Sequence, residues 1–271
     1  MIRDITIGQY YPANSVLHKL DPRVKLFATV IYIIALFSFK GIVGLALVTG
    51  FLVAVIKISK VPFQFMTKGL KAIIVLLLIT SVFNLLGTSG DVVFWKWGSL
   101  QITDKGIINS IMMTIRLVYL ILGTSLMTLT TTPNQLTSGL ETALHPLNKI
   151  HVPVHSIAMM MSIALRFIPI LIEETDKIMK AQMARGADFE SGGLMQKAKA
   201  MVPLLVPLFV SAFRRAEDLA MAMEARCYNG GEGRTKMKPL HYEGRDRLAY
   251  LVVVLFFVLV IVTARLVPFP Q

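Results

Sequence analysis

The chain has 271 residues, 55% of them hydrophobic, with a mean hydropathy of +0.65. That is more apolar than a soluble domain requires, and the apolar residues fall in long blocks, as in an integral membrane protein. The formal net charge of +12 then reads as basic cytoplasmic loops rather than a nucleic-acid surface, and with Cys227 the only cysteine an intrachain disulfide and a cysteine-based metal cluster are excluded.

Residues 1–22 are polar, with neither an apolar core nor a small-residue cleavage site, so no cleavable signal peptide is expected. Asp21 is predicted to N-cap the first span. Pro22 suits the first helical position, where its missing N–H has no intrahelical partner anyway. Two apolar runs, residues 24–39 and 42–58, are separated only by Lys40-Gly41, which predicts a tight helical hairpin. Each is slightly short of the ~20 residues a span needs. A connector with Lys57, Lys60, Lys68 and Lys71 leads to a third span over residues 69–86. Residues 87–106 read as a loop whose Trp95 and Trp97 anchor at the interface. The fourth span covers residues 107–129. Its Arg116 is expected to pair inside the bundle or snorkel rather than to line a translocation path. The last span covers residues 248–264.

The block between the fourth and last spans carries most of the information. Thr132-Pro133-Asn134-Gln135 predicts a capping box opening a short amphipathic helix to about Leu147. A second helix is expected from about Pro153 to Arg185, stopped by Gly186, and a third from about Met195 to Cys227, broken at Asn229-Gly230-Gly231. Glu173/Lys177 and Asp176/Lys180 stand at i,i+4 in the favourable order for a solvated helix. Residues 157–172 and 201–213 are apolar enough to tempt a span assignment. A transmembrane hairpin made of them would put Lys177, Lys180, Arg185, Lys197 and Lys199 outside, against the positive-inside rule. Pro169, Pro203, Pro207 and Arg166 fit kinked interfacial helices better. With five spans, 23 of the 28 Lys and Arg lie inside and 4 outside. The predicted fold is therefore an all-α membrane protein of about five transmembrane helices with a cytoplasmic or interfacial region of long helices. Its parts are residues 1–129, 130–247 and 248–271. The amino terminus lies inside and the carboxyl terminus outside.

No phosphate loop is present: the run from Gly230 to Lys236 has glycines and a lysine in the wrong order and follows no strand. His151 and His155 have i,i+4 spacing, but Pro153 between them interrupts the helix that would align them, so loop histidines are expected rather than a metal site. His18, Asp21 and Arg23 could serve a membrane enzyme acting on a lipid-linked substrate. No second acid or nucleophile accompanies them, and Asp21 already has a capping role. A secondary transporter would show inverted repeats, which are not visible, and five spans divide poorly into halves.

One pattern occurs twice: Ala184-Arg185-Gly186 and Ala225-Arg226-Cys227 each close a long predicted helix. One copy alone is ordinary capping, since a basic residue in the last turn complements the helix dipole. Two copies in one basic block point to paired arginine tips able to form bidentate bonds to carboxylates in a partner's groove. Ten of the 15 methionines also fall in this block, Met159, Met160 and Met161 consecutively. They serve packing between the long helices, and their flexible thioethers also suit a surface that binds several partners.

Leu17-His18-x-Leu20-Asp21-Pro22-Arg23-x-Lys25, Thr131-Thr132-Pro133, Arg166-Phe167-Ile168-Pro169 and the two Ala-Arg-small motifs occur in this order across most of the chain. In these features the sequence resembles the transmembrane (T) component of energy-coupling factor (ECF) transporters, the EcfT family, in the vitamin-uptake branch of ATP-binding-cassette systems. The resemblance implies a non-catalytic scaffold in the cell membrane. It would bind two cytoplasmic ATPase subunits through Ala184, Arg185, Gly186, Ala225, Arg226 and Cys227 on crossed coupling helices. It would hold one or more small membrane-embedded substrate-binding (S) components against an apolar surface that includes Met159, Met160, Met161, Leu204 and Leu205. Cofactors are expected only on the ATPase partners, as ATP and magnesium. A dedicated cobalt or nickel system is the near alternative.

Overall fold

The computed structural model describes residues 10–39, 41–88, 93–97, 100–189, 193–230, 237 and 239–266. The helices are α1 (Val16–Lys19), α2 (Pro22–Ser38), α3 (Gly41–Ser59), α4 (Phe63–Gly87), α5 (Asp104–Thr130), α6 (Pro133–Leu144), α7 (Val154–Ala184), α8 (Leu194–Ala225) and α9 (Gly244–Leu266). A 3-10 turn, His145–Ile150, joins α6 to α7. The described residues divide into two compact units, one within 10–139 and 240–266, the other within 140–239.

The first unit is a helical bundle with its core among α2, α3, α5 and α9. Tyr32, Leu36, Phe39, Val48, Leu52, Leu122, Leu126, Phe256 and Val260 form its buried cluster. Phe51 stacks on Phe256 with ring centroids 4.0 Å apart. Tyr32 Oη donates to the Tyr119 carbonyl at 2.9 Å, and its ring lies against Gly123, where any Cβ would overlap it. Glycine is required there by close approach rather than by backbone angle. Asp21 caps α2 by accepting from the Arg23 amide at 2.8 Å, with Pro22 in the first turn, as the sequence predicts.

The loop expected over residues 87–106 is corrected. It contains an antiparallel hairpin of β1 (Val93–Trp97) and β2 (Leu100–Thr103), with Val93 opposite Thr103 and Trp97 opposite Leu100. Two short runs rich in aromatic and β-branched residues flank Gly98-Ser99, a hairpin signal that the interfacial reading of the tryptophans obscured. The Thr103 side chain then caps α5 by accepting from the Gly106 amide at 3.1 Å.

By length and hydropathy, α3, α5, α7, residues Met195–Ala225 of α8, and α9 each suffice to cross a bilayer. Phe63–Lys71 and Ile73–Gly87 of α4, bent by 62°, make a sixth candidate. This set differs from the five spans expected. The 17-residue α2 falls short of the ~20 residues a span needs, while α7 and α8 exceed it. Side-chain bonds decide which chain ends lie together. Lys25 Nζ, on the first turn of α2, donates to the Thr130 carbonyl at the end of α5 (2.8 Å), and the Asp21 amide donates to Asp246 Oδ1 on the first turn of α9 (2.9 Å). The start of α2, the end of α5 and the start of α9 therefore share one end of the bundle. Residues 131–243 leave and return at that end, so they cross the membrane an even number of times or not at all.

The second unit holds α7 and α8, which pack on each other. Gln182 Nε2 donates to the Pro203 carbonyl at 3.3 Å, and Arg215 pairs with Glu174 at 3.5 Å. As numbering rises along α7 it falls along α8, so the pair runs antiparallel. The expected Glu173/Lys177 and Asp176/Lys180 pairs are not among the ion pairs of the described residues; the close pair instead links the two helices. Pro169 lies inside α7, and Pro203 and Pro207 inside α8.

Candidate partner-docking site

Both Ala-Arg-small motifs form the same helix stop. In α7, Arg185 is the C-cap, the Gly186 amide donates to the Met183 carbonyl at 3.0 Å, and the Ala187 amide to the Gln182 carbonyl at 3.0 Å. In α8, Arg226 is the C-cap, the Cys227 amide donates to the Glu224 carbonyl at 2.8 Å, and the Tyr228 amide to the Met223 carbonyl at 3.0 Å. These are paired Schellman motifs, which satisfy the last carbonyls by turning one residue into the left-handed region. Gly186 does so at φ 89° without penalty; Cys227 does so at φ 56° despite its Cβ.

Ala184, Arg185, Gly186, Ala225, Arg226 and Cys227 are all exposed. Neither guanidinium enters an ion pair among the described residues. Because α7 and α8 are antiparallel, the structure does not bring the tips together. Arg185 lies three residues beyond Gln182 while Arg226 lies eleven beyond Arg215, on the opposite course. At ~1.5 Å per residue the tips are on the order of 30 Å or more apart.

The apolar positions divide differently from expectation. Met160 is 58% and Met161 40% exposed, Leu205 is 42% exposed, Met159 is half-buried, and Leu204 is only 5% exposed. Leu204 therefore belongs to the packed interior of its unit. Two stripes escaped the sequence reading. On α8, Met201, Leu205, Phe209 and Phe213 recur every four residues and all are exposed; on α7, Ile157, Met160, Met161 and Ile168 share helical spacing and exposure. Helical periodicity could have found both. The proline and basic residues nearby drew attention to whether these segments cross a membrane instead.

The residues considered for lipid-linked chemistry are occupied by the fold. His18 Nε2 donates to the Tyr11 carbonyl at 2.9 Å, which leaves Nδ1 to accept from Ser15 Oγ at 2.7 Å. Burial, with Lys25 adding repulsion, holds the His18 imidazole below its ordinary value of 6.5, although the bond to Tyr11 opposes this. Arg23 grips Asp21 with Nε at 3.0 Å and Nη2 at 2.8 Å, donates to the Leu240 carbonyl at 3.2 Å, and lies 3.9 Å over the Tyr242 ring. Asp246, buried and unremarked in the sequence, accepts from the amides of Asp21 and of Glu243 (2.8 Å). An acid reaching back to the residue before its helix was the available signal. His155 Nδ1 lies 3.0 Å from Glu141 Oε1, and His151 occupies a left-handed turn. Among the described residues no three His, Cys, Asp or Glu converge on a metal position.

Fold and site together define a multi-pass helical membrane protein carrying two matched, exposed helix tips. Residues 13–237 match a family model described as cobalt transport protein, CbiQ. The energy-coupling factor transporter transmembrane protein EcfT of Clostridium kluyveri is 57% identical over 252 residues, 93% of each chain. The EcfT protein of Bacillus subtilis is 49% identical over 262 residues, 95% of this chain and 99% of its own. The chain therefore belongs to the family of transmembrane components of energy-coupling factor transporters.

Proposed function

We propose that this T component couples two cytoplasmic ATPase subunits to a membrane-embedded S component in vitamin uptake. The observation that carries the reading is the duplicated Schellman cap. Two exposed arginines, each on an identically terminated helix and separated by ~30 Å or more, suit two separate sockets better than one. Each fork is free to bind a carboxylate. The apolar stripes of α7 and α8, exposed among the described residues, are the surface for the S component. Met160, Met161 and Leu205 line it, and Met159 supports it. ATP and magnesium act on the ATPase partners. A non-catalytic role for this chain is supported by His18, Asp21 and Arg23, which are engaged in holding the bundle together.

Residues 131–243 are assigned to the cytoplasmic side of a cell membrane. That gives an amino terminus inside, a carboxyl terminus outside, and 23 of the 28 basic residues inside. Cys227, the only cysteine and exposed, tests this directly. A membrane-impermeant thiol reagent should label inside-out vesicles and leave right-side-out vesicles unlabelled. The reverse pattern inverts the topology. For the function, the tagged protein is purified gently from its native membrane and its companions identified. Two ATPase subunits with several different small membrane proteins support a shared vitamin transporter. One dedicated small protein with cobalt or nickel uptake supports the metal-transport reading that the family description raises. A chain that stays alone when candidate ATPases are co-expressed removes the coupling role.

A further inference from the structure

At the end of the bundle opposite Asp246, a cavity of about 280 Å³ is lined by Phe39, Gly41, Asn84, Asn109, Met112 and Arg116, among others. Arg116 Nη2 donates to the Phe39 carbonyl at 3.2 Å, and the guanidinium lies 4.9 Å from the Phe39 ring centroid. Its Nε is buried with no hydrogen-bond partner, and no carboxylate lines the cavity among the described residues. A guanidinium has five N–H donors. Among the described residues one is used, by a neutral carbonyl, and no carboxylate stands against the charge.

The position is unusual in depth as well. The 17 residues of α2 extend only ~26 Å, against a hydrocarbon thickness of ~30 Å. With the start of α2 set at one interface, the turn after it, where Arg116 docks, falls a few Å short of the other, by about the ~4 Å difference between the two lengths. Counted from Thr130, which shares the opposite end with Lys25, Arg116 is 14 residues or ~21 Å along α5. A short span draws the bilayer inward. The phosphates of that leaflet are then lowered toward a cation with free donors, beside two amides able to donate as well.

We infer that this cavity is a binding site for the headgroup phosphate of an anionic phospholipid, with Arg116 as the charge partner and Asn84 and Asn109 as supporting donors. The site is formed by the bundle alone and is independent of the coupling role proposed above.

The test is native mass spectrometry of the full-length chain in detergent, titrated with phosphatidylglycerol or with phosphatidylcholine of the same acyl chains. Wild type should retain phosphatidylglycerol preferentially, and Arg116→Gln should reduce that preference by about five-fold. Arg116→Lys should keep part of it. Asn109→Leu, at an exposed position, should reduce it a few-fold and decides the matter if Arg116→Gln does not remain monodisperse. Equal retention of the two lipids by wild type overturns the site, as does unchanged preference in both Arg116→Gln and Asn109→Leu. Inorganic phosphate at millimolar concentration should neither displace the lipid nor form an Arg116-dependent adduct. If it does either, the site takes a free anion and the lipid assignment is wrong.

Discussion

Two residues carry a measurable cost of their conformation or charge. Cys227 holds the left-handed position that Gly186 fills freely in the sister motif. Cys227→Gly removes a strain of about 1–2 kcal/mol, partly offset by the greater chain entropy glycine loses on folding. The net expectation is up to about 1 kcal/mol of added stability at the end of α8, read as slower hydrogen exchange at the amides of residues 227 and 228. Gly186→Ala should move the end of α7 the other way by a similar amount. His18 responds to pH. Its folded value lies below 6.5, so the unfolded chain binds the proton more readily. The stability it allows is present above about pH 6.5 and is lost as pH falls toward the folded value. Melting in detergent should therefore weaken on acidification from pH 7.5 to 5.5, and less steeply in His18→Gln.

At the scale of elements, packing of α2 on α5 depends on the Tyr32–Gly123 contact. Gly123→Ala places a methyl into the Tyr32 ring, and overpacking of this kind costs about 1–3 kcal/mol. The measurement is thermal unfolding of the purified protein. Tyr32→Leu should relieve part of the loss in the double variant, since residues in contact are coupled. Additive effects of the two substitutions would show that the ring does not occupy this place. The same scale explains why α2 can be short. Its start is tied by Asp21 and Lys25 to the ends of two other helices and by Arg23 to the Leu240 carbonyl ahead of α9, and its far end receives Arg116 on the Phe39 carbonyl. Bonds at both ends substitute for the length that a freely inserted helix needs.

For the whole molecule, coupling requires that the two tips act on partners without being needed for folding. Arg185 and Arg226 are exposed and make no ion pair among the described residues, so charge reversal should cost little more than the helix-dipole contribution, about 1 kcal/mol, and leave the fold intact. Arg185→Glu or Arg226→Glu should each weaken capture of an ATPase subunit by about ten-fold or more, a loss of ~1.4 kcal/mol or above. The double variant should lose transport. Near wild-type assembly and uptake in the double variant would return both motifs to plain helix caps.

Much of this was legible in the order of residues. Capping follows local rules, so Asp21-Pro22 starting α2, the Thr132/Gln135 capping box, and the stops at Arg185 and Arg226 were all readable. The box is complete, with the Gln135 amide donating to Thr132 Oγ1 and the Thr132 amide to Gln135 Oε1. Long apolar blocks likewise established a membrane protein by composition alone. What the chain order could not show was which distant groups meet. Asp246 on the Asp21 amide, Lys25 on the Thr130 carbonyl and Arg116 on the Phe39 carbonyl join residues far apart in sequence, and no local pattern encodes such pairing. Leu204 and Leu205 make the same point. The two are adjacent and chemically identical, yet one is buried and the other exposed, because helix rotation against a neighbour decides which side chain meets it. Local hydrogen bonding determined where helices begin and end; only tertiary packing decided which of their faces, and which of their charges, were left for a partner.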